Sequence, residues 1–224
     1  MTYSKLNISN FAKLKNLIWR YHFAITPLAK RALDICIAST ALIALSPLLV
    51  VTAVLIKMES KGNVIFKQER VGLNGVPFTM LKFRSMNCEA ELQKSSLEKR
   101  NEMDKGVLFK IKNDPRITRV GAIIRKTSID ELPQLLNVIK GEMSLVGPRP
   151  PLPAEVWEYS RADRLRLAVV PGITCLWQIS GRSDIPFEQQ VKLDIQYIEQ
   201  QTVAFDLLLL IKTIPAVIKA RGAY

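Results

Sequence analysis

The uncharged run from Ile35 to Ile56 constrains the fold most, because it is apolar throughout yet carries Ser46-Pro47 at its middle. A helix needs roughly 20 apolar residues to cross a bilayer, and this run reaches that length. Proline removes a backbone donor and clashes with the preceding turn, so we expect the helix to break near Ser46. The run therefore predicts a membrane segment that is bent.

Basic residues lie at both ends of this run, with Lys30 and Arg31 before it and Lys57 and Lys61 after it. Positively charged flanks favour the cytoplasmic side of a membrane. If both ends are cytoplasmic, the segment enters the membrane, turns at Ser46-Pro47 and leaves on the side it entered. A kinked span is the alternative, since proline is tolerated in membrane helices, and charge alone leaves both open.

The charge balance predicts an anionic partner. The 224 residues include 32 basic and 20 acidic residues, a formal net charge of +12. Anionic lipid headgroups, a phosphorylated substrate and nucleic acid all fit such a charge. No zinc-ligand spacing, aromatic stripe or helix-turn-helix pattern accompanies it, so we do not expect nucleic acid as a partner.

Two residue types restrict the chemistry. Cys36, Cys88 and Cys175 are odd in number and widely spaced, which indicates a reducing cytosol and no disulfide framework. The one histidine, His22, lies near the N-terminus, which excludes a histidine base in the globular part. Any catalysis must use carboxylates, lysine or a metal ion.

Local patterns predict helices, a hairpin and stiff loops. Residues 1–29 contain apolar residues at helical spacing among basic ones, which indicates an amphipathic helix either on an anionic membrane or against its own domain. Asn74-Gly75 between β-prone segments predicts a hairpin. The charged segment Glu89 to Lys105 predicts an exposed helix with a loop.

The second half of the chain is predicted to be mainly helical. Ser128 to Lys140 has one apolar face and ends at Gly141, which is typical of a helix with a glycine cap. The proline-rich residues 147–151 predict a stiff loop, and Pro171-Gly172 a turn. Helices are predicted from about Phe187 to Ile198 and over Phe205 to Ile218, the latter at the interface or in the core.

The adjacent carboxylates of Asp130 and Glu131 are the candidate reactive groups. They fall in the first turn of a predicted helix, where unpaired backbone donors stabilise negative charge. Ser128-x-x-Glu131 also matches a capping box, a common structural pattern. Capping by Asp130 would instead place Pro133 inside the first turn, where proline is tolerated. Spacing alone leaves both the catalytic and the capping interpretation open.

Cationic residues in loop-like stretches favour the catalytic interpretation. Guanidinium groups bind phosphate oxygens in pairs, and a proline-locked loop holds such a group at low entropic cost. Cations around a carboxylate pair are what a phosphoryl-transfer site needs. The candidate substrate-binding residues are Lys82, Arg84, Arg116, Arg125 and Arg149.

Several motifs in chain order carry a family resemblance. They are Lys30-Arg31-x-x-Asp34, Ser46-Pro47, Phe66-x-Gln68-x-Arg70-x-Gly72, Lys82-Phe83-Arg84-Ser85-Met86, Asp114-Pro115-Arg116-Ile117-Thr118-Arg119-x-Gly121, Asp130-Glu131-Leu132-Pro133-Gln134, Met143-Ser144-Leu145-Val146-Gly147-Pro148-Arg149-Pro150, Pro171-Gly172-Ile173-Thr174, Trp177-Gln178-x-Ser180-Gly181-Arg182 and Gly222-Ala223-Tyr224. From Lys30 to Tyr224 the chain resembles the bacterial sugar transferase family, the monotopic phosphoglycosyl transferases. It departs at Cys175, where the family usually has glycine, and there we expect altered turn geometry or substrate fit.

The resemblance implies a reaction and its participants. Such enzymes move a sugar 1-phosphate from a UDP-sugar to undecaprenyl phosphate with Mg²⁺, releasing UMP through a covalent aspartyl intermediate. Carried over, Asp130 is the nucleophile and Glu131 assists metal binding. The residues that would hold phosphates or the uridine end are Lys82, Arg84, Arg125 and Arg149. The product would be the first membrane-bound intermediate of exopolysaccharide, capsule, O-antigen or glycoprotein glycan assembly.

The resemblance also implies an architecture. We expect an α+β, mostly helical fold: an N-terminal extension (1–29), a re-entrant membrane hairpin broken at Ser46-Pro47 (30–58), and a catalytic domain with a β-hairpin and interfacial amphipathic helices (59–224). The expected location is the cytoplasmic face of the bacterial inner membrane, with anionic lipids as partners. The oligomeric state stays open, with a homodimer as one option, as does the sugar. The alternative function is a non-catalytic, membrane-anchored adaptor of a glycan-assembly complex.

Overall fold

A computed structural model describes residues 27–90, 92–93, 111, 114–181 and 185–218. Residues 1–26 of the predicted N-terminal extension and most of the segment Glu89 to Lys105 lie outside the described residues, and residues 27–29 belong to the first described helix. Short 3₁₀ turns cover Leu73–Gly75, Ile129–Glu131 and Asp163–Ala168. The other elements are α1 (Pro27–Ala44), α2 (Ser46–Glu59), β1 (Ile65–Val71), β2 (Pro77–Phe83), α3 (Arg119–Lys126), α4 (Gln134–Lys140), β3 (Ser144–Val146), α5 (Pro153–Trp157), β4 (Gly172–Thr174), α6 (Leu176–Ser180), α7 (Phe187–Gln200) and α8 (Val203–Ile218).

The apolar run is a bent helix pair, as the Ser46-Pro47 pair predicts. Helices α1 and α2 meet at 62° around Leu45. Pro47 cannot donate to the carbonyl of Ile43, and the Ser46 hydroxyl donates to that carbonyl instead, at 2.8 Å. None of the described helices is long and apolar enough to cross a membrane by itself, and α1 and α2 reach the necessary length and hydropathy only as a pair.

Strands β1 and β2 form the predicted antiparallel hairpin. Ile65 lies opposite Phe83 at the open end, and Val71 lies opposite Pro77 near the turn. Asn74 and Gly75 both have positive φ, 55° and 82°, the backbone that Asn-Gly adopts most readily. The Asn-Gly signal therefore located this turn correctly.

The predicted helix from Ser128 to Lys140 is divided in the structure. Ser128 has a left-handed backbone (φ 57°), the 3₁₀ turn Ile129–Glu131 follows, and α4 starts only after Pro133. The side chain of Ser128 makes no capping hydrogen bond, so the capping box is not formed. Asp130 does not cap a helix either, because Pro133 holds the cap position of α4. The helix does end at Gly141, whose φ of 91° requires a residue without a side chain.

A short parallel pair, β3 and β4, lies at the centre of the domain. The prediction of a turn at Pro171-Gly172 is wrong for Gly172, because this residue begins β4 and lies opposite Ser144. Its Cα lies so close to the backbone of Gly147 that a side chain would not fit there. The predicted stiff loop is confirmed, since residues 147–152 form neither helix nor strand.

The main apolar core is assembled around these strands. Tyr197 of α7 and Leu209 of α8 are fully enclosed in it, and burial of such side chains is the main stabilising term of the fold. The other face of α8 exposes Leu207, Leu208, Ile211 and Ile214. The buried members of the core are Ala38, Met80, Leu135, Val138, Met143, Leu145, Val146, Tyr197 and Leu209.

The first arm of the bent pair is tied to the centre of the domain. Lys30 Nζ lies 2.6 Å from Asp206 Oδ2 and donates to the Val146 carbonyl at 3.0 Å. Asp34 Oδ1 accepts from the backbone N–H of Leu145 at 3.1 Å. These contacts join the start of α1 to β3 and α8, so α1 is part of the packed domain.

The second arm is tied to the edge of the same domain. Glu59 at the end of α2 accepts from the backbone N–H groups of Arg119 (2.8 Å) and Val120 (3.1 Å), the first residues of α3. Arg84 donates to the carbonyls of Ser60 and Lys61, each at 2.8 Å. Both ends of the bent pair therefore contact one compact body.

Candidate active site

A cavity of about 910 Å³ opens between the β-hairpin, the 3₁₀ turn that carries Asp130, the loop around Arg149, and the ends of α6 and α8. Its lining is mixed and contains several cationic side chains. It also contains apolar side chains, among them Ile173, Ile179, Ala216 and Val217. Such a lining suits a ligand with an anionic head and an apolar part.

Asp130 lies in the wall of this cavity. Asp130 is 8 % exposed, and both Arg125 and Glu131 line the same cavity. Burial raises the pKa of Asp130 to about 6; the positive charge of Lys82 acts against this shift and the negative charge of Glu131 adds to it. The carboxylate is therefore mostly ionised at neutral pH but poorly solvated, a favourable state for a nucleophile.

Glu131 is bound to Lys82, which lies on the neighbouring strand β2. The Lys82 ammonium donates to Glu131 Oε1 at 2.7 Å, and both side chains are partly exposed to the cavity. The two residues are 49 positions apart in the sequence, and their contact places a cation beside the acidic segment. The structure thus brings together Lys82, Asp130 and Glu131 as the sequence predicts.

Arg125 and Arg149 reach the cavity from two further segments. Arg125 is in the last turn of α3, just before the chain reverses at Ser128. Arg149 stands between Pro148 and Pro150, and its guanidinium lies 3.5 Å from the buried carboxylate of Glu155. Each cation is therefore held by rigid backbone on the edge of the cavity.

Arg84 and Arg116 are placed differently from the other predicted cations. Arg84 lines the cavity, but its terminal nitrogens donate to Ser60, Lys61 and Cys88. Arg116 is buried, makes a two-point contact with Asp114, and is not among the described residues that line the cavity. These contacts give Arg84 and Arg116 a structural role. Substrate binding by either residue stays a prediction.

Three cavity residues were missed as candidates from the sequence. Arg70 and Gln178 line the main cavity, and Gln134 lines a small cleft beside it. A signal for the first was present: Gln68 and Arg70 are two residues apart, which puts them on one face of a strand. No local signal identified the two glutamines, because their placement depends on contacts between distant segments.

A buried ion pair lies behind the cavity wall that carries Trp177. Arg166 Nη2 donates to Asp194 Oδ2, and Asp194 is 0 % exposed. Burial raises the pKa of Asp194 to about 6 even though Arg166 acts against this shift. Cys175, also buried here, has an ordinary extended backbone (φ −146°, ψ 168°), so its position does not require glycine. Altered turn geometry or substrate fit at this position stays a prediction.

The acidic pair fits one kind of metal ion. Among the described residues, no three His, Cys, Asp or Glu side chains come together as metal ligands. Mg²⁺ in phosphate-handling sites is bound by one or two carboxylates, phosphate oxygens and water. Asp130 and Glu131 supply two such carboxylates on one cavity. They fit a magnesium ion that is completed by a phosphate ligand.

Comparison with known proteins places the chain among transferases. The family model for bacterial sugar transferases matches residues 25–220. The chain is 42 % identical over 200 residues to the exopolysaccharide production protein ExoY of Sinorhizobium fredii, covering 88 % of each chain. It is 38 % identical over 205 residues to the UDP-glucose:undecaprenyl-phosphate glucose-1-phosphate transferase of Caulobacter vibrioides, covering 88 % of this chain and 72 % of that one.

A third relative is longer than this chain. The undecaprenyl-phosphate galactose phosphotransferase of Salmonella typhimurium is 42 % identical over 200 residues, which are 87 % of this chain and 41 % of that protein. The family match covers the bent helix pair, both halves of the cavity and the acidic segment. The chain belongs to the bacterial sugar transferase family and is an enzyme of that class.

Proposed function

We propose that this enzyme transfers a sugar 1-phosphate from a UDP-sugar to undecaprenyl phosphate and releases UMP. The observation that carries the proposal is a buried carboxylate, Asp130, in one cavity with Lys82, Arg125 and Arg149. Relatives whose names state this reaction for glucose or galactose support it. Membership of a transferase family favours an enzyme over a non-catalytic adaptor.

The proposed reaction has two steps at Asp130. In the first, a carboxylate oxygen forms a bond to the phosphorus next to the sugar. The bond from that phosphorus to the bridging oxygen of the diphosphate breaks, and UMP leaves with the electron pair. In the second, an oxygen of the lipid phosphate attacks the same phosphorus, and the carboxylate of Asp130 leaves. Splitting the transfer in this way keeps the two bulky anions from having to react directly.

The side chains around Asp130 have distinct roles in this proposal. Lys82 and Arg125 keep its carboxylate ionised, because both act against the effect of burial on its pKa. Arg149, fixed between two prolines, binds phosphate oxygens of the donor. Asp130 and Glu131 would hold Mg²⁺, which offsets negative charge on the phosphates when bound. Arg84 and Arg116 are assigned indirect support of the cavity wall through Ser60 and Asp114.

We further propose that α1 and α2 form a re-entrant membrane hairpin within residues 30–58. Lys30 at one end and Glu59 at the other both contact the domain formed by residues 59–224. A body of this kind lies on one side of a bilayer, so a spanning arrangement would have to break one set of contacts. The flanking positive charges favour the cytoplasmic face of the inner membrane.

The exposed apolar face of α8 supports this orientation. It lies on the helix that binds the start of α1 through Asp206 and whose C-terminal part lines the cavity. A helix with such a face rests at the lipid interface, which would bring the lipid phosphate to the cavity. Residues 1–29 are proposed to lie on anionic lipid as an extension.

The test is release of UMP by the full chain in detergent with Mg²⁺, a lipid phosphate and a panel of UDP-sugars. We expect release with at least one donor and none from Asp130→Asn, whereas the surface control Asp163→Asn retains it. Arg149→Ala should mainly weaken use of the UDP-sugar. Labelled donor without acceptor should leave label on Asp130. Normal turnover of Asp130→Asn would exclude the covalent route, and no release with any donor would exclude the reaction.

The hairpin has its own test. Single cysteines placed at the exposed positions 28 and 61 in a chain without native cysteines should react with a membrane-impermeant reagent from the same side of inverted vesicles. Reaction from opposite sides would show a span and contradict the re-entrant arrangement.

A further inference from the structure

Arg70 is a buried cation whose hydrogen-bond partners are all neutral. The residue is 6 % exposed. Its Nε and Nη2 donate to Gln68 Oε1 at 3.2 and 2.6 Å, and its Nη1 donates to the Pro150 carbonyl at 3.0 Å. Among the described residues it has no ion pair. Burying a guanidinium without a countercharge is unfavourable, so this position indicates a ligand that supplies one.

The charges around Arg70 are mixed. Burial lowers the pKa of Arg70 to about 9, the nearby guanidinium of Arg149 acts in the same direction, and the negative charges of Glu155 and Glu131 act against it. Arg70 therefore keeps its charge at neutral pH. The two carboxylates are bound to other cations, Glu155 to Arg149 and Glu131 to Lys82, so Arg70 has a direct ion pair with neither.

A small cleft beside the main cavity collects these donors. We call it the side cleft; its volume is about 30 Å³, and its polar lining comes from Arg70, Lys82, Glu131, Gln134, Arg149 and Gln178. Gln134 is 3 % exposed and lines this cleft together with the cations. Its side-chain amide can donate hydrogen bonds to a group that enters the cleft.

The size and shared wall of the side cleft limit what it can take. It has room for about one water-sized group, such as the oxygens at one edge of a phosphate. Arg70, Arg149, Lys82 and Gln178 also line the main cavity, so the rest of a ligand can lie there. A phosphate monoester has both parts, an anionic end and an attached group.

We propose that Arg70 and Gln134 form a binding subsite for the oxygens of a phosphate monoester, separate from the reacting carboxylate of Asp130. The identity of the bound phosphate rests on the proposed function, which offers two sources. They are the UMP portion of the donor and the lipid phosphate. Arg70 supplies charge and two-point geometry, and the Gln134 amide donates to the same group. The subsite would hold a phosphate beside Arg70 and Arg149 in a cleft that Glu131 lines and Asp130 does not.

The test measures binding without turnover. The full chain in detergent is titrated with UMP, with uridine, and with a short-chain prenyl phosphate. The variants are Arg70→Gln and Gln134→Leu, with surface controls Arg161→Gln and Gln196→Leu that make the same chemical change outside the cavity. We expect each cleft variant to weaken at least one phosphate ligand by about tenfold or more and to leave uridine unchanged.

The outcomes separate the sources. A selective loss for UMP assigns the subsite to the nucleotide, and a selective loss for prenyl phosphate assigns it to the lipid. If Arg70→Gln and Gln134→Leu bind both phosphate ligands as tightly as the wild type does, the proposal is overturned. It is also overturned if these variants lose as much affinity for uridine as for UMP. If Arg70→Gln does not fold, Gln134→Leu and Arg70→Lys carry the test. Failure of the wild type to release UMP would reject the proposed function while these binding results still decide the subsite.

Discussion

The ammonium of Lys82 lies 2.7 Å from the carboxylate of Glu131, which joins β2 to the 3₁₀ turn one residue from Asp130. Lys82 is also the strongest of the charges that oppose the raised pKa of Asp130. One side chain therefore fixes the geometry of the acidic segment and its ionisation.

Replacing Lys82 by Met should shift the acidic limb of the pH–rate profile to higher pH. Without this cation, the pKa of Asp130 rises further above about 6, and a larger fraction is protonated at neutral pH. The measurement is UMP release against pH at saturating donor. Lys192→Met, an exposed change on α7, should leave the limb in place. An unshifted limb in Lys82→Met would show that Lys82 does not control Asp130.

Replacing Asp130 by Asn should stabilise the free enzyme while removing activity. The pKa of Asp130 is raised from 3.8 to about 6, so ionisation in the folded state costs about 3 kcal/mol as an upper figure. The free energy of unfolding of the wild type therefore falls as pH rises through the range 4 to 6, whereas that of Asp130→Asn does not. We expect Asp130→Asn to be more stable by about 1–3 kcal/mol at pH 8, with no difference below pH 4.

Thermal unfolding in detergent, without metal or substrate, checks this difference. Asp163→Asn on the surface serves as the matched control and should show no such pH dependence. A less stable Asp130→Asn at pH 8 would contradict the inference that burial disfavours the charge.

Removing Arg166 should destabilise the fold strongly, because Asp194 would remain buried and unpaired. Loss of one partner of a buried pair costs about 3–5 kcal/mol. Arg166→Met should therefore unfold at lower temperature, and Arg166→Met with Asp194→Leu should recover most of the loss. Arg166 holds the pKa of Asp194 down, so this pKa rises above about 6 in Arg166→Met, and the deficit of the single variant should shrink as falling pH makes Asp194 neutral. A double variant as unstable as the single one would rule out an unpaired charge as the cause.

Removing the carboxylate of Glu59 should weaken the start of α3. Glu59 accepts from the N–H groups of Arg119 and Val120, which have no partner within the helix. Glu59→Ala should cost about 1 kcal/mol of stability, a usual value for a lost cap. Exposed Glu199→Ala on α7 is the control. Hydrogen exchange at the first amides of α3 should rise in the first variant alone, and unchanged protection would show that the cap is not used in solution.

Local features were predictable and long-range ones were not. Asn74-Gly75 and Gly141 adopt the backbone conformations that their residue types favour, and Pro47 bends the helix for a reason contained in its own ring. The predicted capping box failed because Ser128 adopts a left-handed backbone, which no neighbouring residue signals.

The candidate site shows the same division. Asp130, Glu131 and Lys82 could be selected by residue type and clustering in the sequence, but Arg116 could not be separated from them. Its guanidinium turns to Asp114, two residues away. The spacing of Gln68 and Arg70 was a signal, but the burial of Arg70 depends on its bond to the Pro150 carbonyl, 80 residues further along the chain. Burial of a cation depends on such distant partners.

The left-handed Ser128 has a consequence for how this site arises. In one continuous helix, positions 125 and 130 would point about 140° apart. The left-handed backbone at Ser128 interrupts that helix, and Arg125 and Asp130 line the same cavity. The shared position of these two side chains thus follows from the conformation of one residue, and a substitution that changed it would separate them without replacing either.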